Sequence, residues 1–103
     1  MIQILVELTV KNFDLLERYE NQALVIMAKY GGRLLSSFET SRAADGTGEE
    51  IHLLQFQNEH EFTSYREDSD LIELADLREH AIQATDIRIS TRLKEYVVPA
   101  QHT

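Results

Sequence analysis

Cysteine is absent from the 103-residue chain, and basic residues are scarce beside acidic ones. Without cysteine the chain can form no disulfide and offers no thiolate as nucleophile or metal ligand, so we expect a reducing, cytoplasmic location. Eighteen acidic and ten basic side chains give a formal net charge of −8. This charge disfavours binding to nucleic acid or to an anionic membrane surface.

Proline and glycine are also rare, with one and four residues respectively, while 43% of the chain is hydrophobic. This balance argues against a disordered or fibrous protein and predicts one domain over residues 1–103, with a tail at 94–103. The first ten residues lack a basic segment and include Glu7 within the apolar stretch. Neither a secretory signal nor a membrane span is therefore expected.

The first half of the chain alternates between strand and helix patterns. Residues 2–10 have the period of two that is typical of a half-buried strand. Asn12 and Asp14 are candidate caps for a helix that extends to Tyr30, and Asp14 and Glu17 have capping-box spacing. The Gly31-Gly32 pair predicts the end of this helix, and residues 33–42 predict a second strand.

The second half repeats this order after a glycine-rich turn at 43–48, which predicts a hairpin to a third strand at 51–56. Asn58 opens a short helix, and Asp68-Ser69-Asp70 predicts a break that caps a longer helix to about Ala84. A fourth strand follows at 85–93. The order β-α-β-β-α-β predicts an α+β, ferredoxin-like fold: a four-stranded antiparallel sheet with both helical layers on one face.

The opposite face of this sheet mixes Leu5 with polar residues, and we predict a register in which Glu7 faces Arg88 and Gln3 faces Arg92. Such a face is too polar for a monomer core but is compatible with the sheet of a partner chain, which predicts a homodimer. A solvated face is the alternative. The tail around Val97 and Val98 is apolar enough to dock on another surface.

Three segments resemble the domain-of-unknown-function 1330 family: residues 30–35 (Tyr-Gly-Gly-Arg-Leu-Leu), residues 51–56 (Ile-His-Leu-Leu-Gln-Phe) and the run from Tyr65 to Arg78 with Ala81. The resemblance covers most of the chain and implies the dimeric α/β-barrel superfamily. It implies no settled activity, because that superfamily includes cofactor-free monooxygenases, isomerases and haem enzymes. The chain departs from the family pattern at 55–57 (Gln-Phe-Gln for Glu-Phe-Pro) and at 68–71 (Asp-Ser-Asp-Leu for a Ser-Pro-Glu-Tyr-like break).

Arg78 is the first candidate site residue, because the helical period places it in one stripe with Leu71, Leu74 and Ala81. Two interpretations are open. The guanidinium either pairs with a carboxylate or helix-end carbonyl, or extends to the edge of the layer, and is then structural. Alternatively, it holds the carboxylate or enolate of a ligand.

Three tyrosines are further candidates for a ligand site, since Tyr19, Tyr30 and Tyr65 are predicted to face inward from helices. Aromatic residues at helical spacing are more often core residues. Phenols beside an arginine would nevertheless suit a small aromatic or oxo-acid ligand. Arg33 follows the glycine pair and is either a ligand contact at the mouth of a strand or an ordinary surface residue.

The four histidines are His52, His60, His80 and His102. None has metal-ligand spacing with another, and Asp76 with His80 is too common a pair to indicate a site, so no metal is predicted. His52 is either a hydrogen-bonded core histidine or the general base of a cofactor-free enzyme. Nucleotide-binding fingerprints are absent from the sequence, and no cofactor is predicted.

Three functions are compatible with these patterns. The first is a homodimer that binds a small anionic or aromatic molecule between helices and sheet. The second is a cofactor-free oxygenase or isomerase that uses His52 and Arg78. The third is a structural or regulatory dimerisation module without a pocket; a cavity reached by both side chains favours the enzyme, and a filled core favours the module.

Overall fold

The computed structural model describes residues 1–97 and 99, which form four strands and four helices. In chain order these are β1 (Ile2–Val10), α1 (Phe13–Ala28), β2 (Arg33–Arg42), β3 (Gly48–Phe56), α2 (Glu59–Arg66), α3 (Ser69–Ile72), α4 (Ala75–Ala81) and β4 (Ile82–Ser90). The strands form one antiparallel sheet in the order β2-β3-β1-β4. The predicted α+β, ferredoxin-like fold is confirmed.

The core lies between the helices and one face of the sheet, called the inner face here. Alternate residues of β1 point into it and are buried, and Ile4 and Phe56 are fully inaccessible. Phe56 contacts the rings of Phe62 and Tyr65 at centroid distances of 5.2 and 5.7 Å. The alternate, buried residues of β1 and the aromatic residues of α2 therefore form one apolar layer.

Asparagine and aspartate side chains cap the first three helices, α1, α2 and α3. Oδ1 of Asn12 accepts a hydrogen bond from the backbone N–H of Leu15 at 3.0 Å, so Asn12 and not Asp14 caps α1. Asn58 caps α2, and Asp68 caps α3, as predicted. After α1, Gly31 adopts the left-handed conformation with φ +70°, which other residues adopt only with strain.

The prediction of one long helix to about Ala84 is wrong. The helix is interrupted after α3, and α4 ends at Ala81; β4 then starts at Ile82 and ends at Ser90, earlier than predicted. The cause lies in β1: Ile82 pairs with Val10, and the backbone N–H of Lys11 donates to the Ala81 carbonyl at 2.8 Å. Pairing with the sheet converts residues that helical periodicity alone would have kept in the helix.

The predicted pairing of Glu7 with Arg88 is also wrong, by two residues. Glu7 lies opposite Asp86, Leu5 opposite Arg88, and Gln3 opposite Ser90. A shift of two keeps every side chain on its predicted face, because strand side chains alternate with a period of two. The mixed polarity predicted for the sheet's second face, called the outer face here, is therefore retained.

The outer face carries apolar side chains among its polar ones. Phe38 of β2 pairs with Ile51 of β3, and Leu53 of β3 pairs with Leu5 of β1. Phe38 is 51% exposed. Beyond β4, Tyr96 and Val97 are also exposed, while Val98 lies outside the described residues. None of the described helices has the length and apolar character needed to cross a membrane.

Candidate ligand-binding site

A cavity of about 430 Å³ lies between the helices and the inner face of the sheet. Strands β1, β3 and β4 form its floor, and α1, α2, α3 and α4 form its walls. Most of the lining is apolar, and the polar side chains around it are Tyr19, Glu20, His52, Tyr65, Arg66, Arg78 and Thr85. A cavity with apolar walls and few polar groups is the usual form of a small-molecule site, for which volumes of roughly 300–1,000 Å³ are typical.

Arg78 reaches this cavity from the last turns of α4. Its Nη2 donates a hydrogen bond to Oγ1 of Thr85 on β4 at 2.7 Å. Among residues 1–97 and 99, no carboxylate lies within 4.0 Å of the guanidinium. A guanidinium has five N–H donors, so a positive charge and several donors are left for a ligand.

The two cavity tyrosines come from different helices. Tyr19 lies on the buried face of α1 and Tyr65 on that of α2. Burial raises the pKa of the Tyr19 phenol, and the nearby Arg78 guanidinium offsets part of this increase. Burial also raises the pKa of Tyr65 well above its ordinary value. Both phenols therefore stay protonated at neutral pH and can donate hydrogen bonds.

His52 lies between two carboxylates on the floor of the cavity. The residue is 5% exposed. Its Nε2 is 2.5 Å from Oε2 of Glu50, two residues earlier on the same face of β3, and its Nδ1 is 3.9 Å from Oε1 of Glu20 on α1. Burial raises the pKa of Glu20, as does Glu50, while His52 and Arg78 lower it. The imidazole of His52 and the two carboxylates can hold a proton, or pass it between them, next to the cavity.

A family model described as "Domain of unknown function (DUF1330)" matches residues 3–99. The chain belongs to this family. Among curated proteins, none matches the chain significantly.

Several solved structures share the fold of this DUF1330 chain at low sequence identity. A protein of unknown function from Rhodopseudomonas palustris is 11% identical with a TM-score of 0.72, over 91% of this chain and 84% of that one. An uncharacterised NIPSNAP domain protein from Burkholderia xenovorans is 10% identical with a TM-score of 0.67, over 90% and 95%. SnoaB, a cofactor-independent oxygenase from Streptomyces nogalater, is 11% identical with a TM-score of 0.65, over 91% and 94%. These identities support a shared fold only.

Two of the predicted site residues of this DUF1330 chain lie away from the cavity. The hydroxyl of Tyr30 donates a hydrogen bond to Asp68, so Tyr30 joins the C-terminal end of α1 to the start of α3. Arg33 is exposed at the start of β2, where it pairs with Gln55 of β3. The structure therefore does not bring these two residues into the cavity that Arg78 lines.

The other histidines lie on the surface or outside the described residues. His60 and His80 are exposed, and Nδ1 of His80 is 2.7 Å from the backbone oxygen of Asp76. Over the part of the chain that the structure describes, no three potential ligands are close enough to hold a metal ion. His102 lies outside the described residues.

Glu20, Glu50 and Thr85 line or support the site but were not singled out from the sequence. Glu50 could have been found, since it lies two residues before His52 and so shares its strand face. Thr85 lies in the strand predicted at 85–93, but its pattern alone does not indicate that it approaches Arg78. The sequence pattern does not indicate Glu20 as a site residue, because Glu20 flanks the buried stripe of α1 without interrupting it.

Proposed function

We propose that this chain is a cytoplasmic homodimer that binds a small anionic or aromatic molecule in the cavity between helices and sheet. The observation that carries the proposal is the position of Arg78. Its charge faces a mostly apolar cavity, and within 4.0 Å of the guanidinium the described residues offer the Thr85 hydroxyl but no carboxylate, since Glu20 of the same cavity lies farther away. A partly buried cation without an anionic partner is unfavourable. An anionic ligand would supply that partner.

The cavity lining narrows the ligand class. Apolar side chains such as Leu54 and Phe62 suit an aromatic ring or a short carbon chain. The guanidinium can hold a carboxylate or enolate through two parallel hydrogen bonds. The phenols of Tyr19 and Tyr65 can donate to further oxygens. A small aromatic carboxylate or oxo acid fits all three features.

A second candidate function is that of a cofactor-free oxygenase or isomerase. Its support is that His52 and Arg78 line the same cavity, so a potential base and an anion-binding group share one site. The same cavity argues against a dimerisation module with a filled core. The likeness to SnoaB is one of fold, and the choice between binding and catalysis depends on the side chains of this chain.

The homodimer is supported by the outer face of the sheet. Phe38, Ile51, Leu5 and Leu53 give that face an apolar strip that no described residue of the same chain covers. A second copy of the chain would present the same strip in a two-fold arrangement. Burying the two strips against each other would remove them from water.

Replacing Arg78 tests the binding proposal. In Arg78→Met the stem of the side chain is kept and the charge removed, so we expect loss of benzoate binding with a melting temperature unchanged or higher. Benzoate at ten times its Kd should stabilise the wild type by about 1.4 kcal/mol, which raises Tm by several degrees. Arg78→Lys keeps the charge without the planar fork and should bind weakly. Thermal melts with and without benzoate measure all three.

Arg18→Met is the matched control, because Arg18 is exposed on α1 and does not line the cavity. It should keep the benzoate-induced shift. If Arg78→Met instead destabilised the protein by about 3–5 kcal/mol, as the loss of one partner from a buried ion pair does, and benzoate produced no shift in the wild type, the binding proposal would be wrong.

A further inference from the structure

We propose that Glu20 is the acid–base residue of the cavity and that the ligand is an enolisable 2-oxo acid, which Glu20 isomerises by proton transfer. This inference rests on the anion-binding role proposed above for Arg78. Glu20 is the carboxylate among the described residues that line the cavity. It therefore lines the same cavity as Arg78, the group that would hold the ligand's negative charge.

The contacts of His52 connect Glu20 to a proton acceptor. Glu50 lies 2.5 Å from Nε2 of His52, so Nδ1 is the ring nitrogen that faces Glu20, at 3.9 Å. This distance is longer than a hydrogen bond. A small rotation of the Glu20 side chain would close it, and the imidazole could then take a proton from Glu20 or return one. In this arrangement His52 and Glu50 are positioning residues.

Glu20 and His52 also line a second cavity, of about 290 Å³, between α1 and strands β2 and β3. Exposed polar residues surround this second cavity, among them Glu17, Asn21 and Ser37. Glu20 thus lines both a mostly apolar cavity and a more polar one. A group in this position can exchange protons with water while the ligand stays in the apolar cavity.

Titratable groups from every neighbouring element share a cavity with Glu20. They are Arg78 on α4, Arg66 and Tyr65 on α2, Tyr19 and Glu17 on α1, His52 and Glu50 on β3, and the paired Glu39 and Arg42 on β2. Burial raises the pKa of Glu20 above its ordinary value, and Glu50 adds to the increase, while His52 and Arg78 oppose it. A raised carboxyl pKa suits a group that must both accept and donate a proton near neutrality.

The proposed step moves one proton from the ligand to Glu20 and back, so that its atoms and electrons balance. The Glu20 carboxylate removes a proton from the carbon next to the keto group, and the electron pair of that C–H bond forms the enolate double bond. The negative charge moves to the former keto oxygen, where the Arg78 guanidinium stabilises it. Glu20 then returns the proton to the other face of the same carbon or, where the ligand has a double bond conjugated with the enolate, to the far carbon of that double bond. No oxidant, reductant or second substrate is consumed.

Hydrogen–deuterium exchange of phenylpyruvate tests this step. We expect the wild-type protein in D₂O to accelerate replacement of the benzylic hydrogens, followed by proton NMR. Glu20→Gln should lower that rate by about a hundredfold or more while keeping the Arg78-dependent thermal shift with phenylpyruvate. The exposed-residue variant His60→Gln is the control and should exchange at the wild-type rate.

Titration of the Glu20 carboxyl carbon by NMR gives a second measurement that needs no ligand. His52→Gln should raise the pKa of Glu20, Glu50→Gln should lower it, and His60→Gln should leave it unchanged. If phenylpyruvate binds but its exchange is not accelerated, or is equally fast in Glu20→Gln, the acid–base proposal is overturned and the binding proposal stands. If neither phenylpyruvate nor benzoate binds, the binding proposal fails. A Glu20 titration that is indifferent to His52 overturns the acid–base proposal independently.

Discussion

Arg78 lies in an otherwise apolar stripe of α4, next to Leu74 and Ala81, and the reason that the fold tolerates it there is the cavity. In a filled core the guanidinium would need a carboxylate, whereas here it donates to Thr85, lies close to the Tyr19 phenol and lines the cavity. Thr85 therefore fixes the direction of the guanidinium. The hydrogen bond crosses from α4 to β4, so the orientation of the charge depends on where the helix ends.

Thr85→Val removes this acceptor without changing the shape of the side chain much. We expect benzoate affinity to fall by about tenfold or less, which corresponds to the roughly 0.5–1.5 kcal/mol that one hydrogen bond contributes net. The melting temperature should change little, since Thr85 is only half-buried. Calorimetric titration measures the affinity. Thr63→Val, at an exposed position of α2, is the control, and equal affinities of the two variants would contradict the orienting role.

At the scale of elements, the short helix α3 is attached to the C-terminal end of α1 by two polar contacts. The Tyr30 hydroxyl donates to Asp68, and Lys29 pairs with Asp70 at 3.3 Å. The hydrogen bond from Tyr30 is the largest cause that holds the pKa of Asp68 below its ordinary value. Since Leu71 and Ile72 of α3 line the cavity, these contacts also hold part of its wall.

The lowered pKa of Asp68 predicts a pH dependence. A carboxyl whose pKa is lower in the folded protein stabilises the fold above its unfolded pKa, and this contribution is lost as pH falls through the folded pKa. We therefore expect Tyr30→Phe to be less stable than the wild type at pH 7 and closer to it at pH 3. Urea unfolding at both pH values measures the difference. A gap between the two proteins that is the same at both pH values would exclude a contribution from Asp68 ionisation.

The elements that the sequence predicts well are those with a local signal. Asn58 and Asp68 cap helices as predicted, and the alternation of β1 assigns each of its side chains to the correct face. The end of α4 and the register of β4 depend instead on pairing with β1, a contact between residues about seventy positions apart in sequence. Residues 80–84 suit a helix by themselves, so only the tertiary structure reveals that Thr85 approaches Arg78.

The residues of the candidate site are likewise predictable where they have a local sequence signal, and not where they depend on distant contacts. His52 and Arg78 could be singled out because each interrupts an apolar pattern, and the structure brings both to one cavity. Tyr30 continues the helical period of Tyr19 in the sequence but lies beyond the end of α1, where its hydroxyl contacts Asp68 at the start of α3. Periodicity gives the face of a helix that a residue occupies and does not give its distance along the axis from another element.

At the scale of the whole molecule, the chain is flat, with principal extents of 47, 37 and 19 Å. Its radius of gyration is 15.4 Å, whereas a compact domain of this length is expected at about 13 Å. One layer of helices on one sheet accounts for this shape. The sheet therefore has an uncovered side, and a second copy placed against it would give a more compact particle.

The assembly prediction follows from that uncovered side. Light scattering at micromolar concentration should report about twice 11.9 kDa for the wild type. Phe38→Lys places a charge in the apolar strip of the outer face, so it should shift the protein to monomer because burying an unpaired charge is costly. Val25→Lys is the matched control: Val25 is 67% exposed on α1, outside the sheet, and the same substitution there should leave the dimer intact. A wild type that stays monomeric, or a dimer that Val25→Lys disrupts and Phe38→Lys does not, would place the interface somewhere other than the outer face.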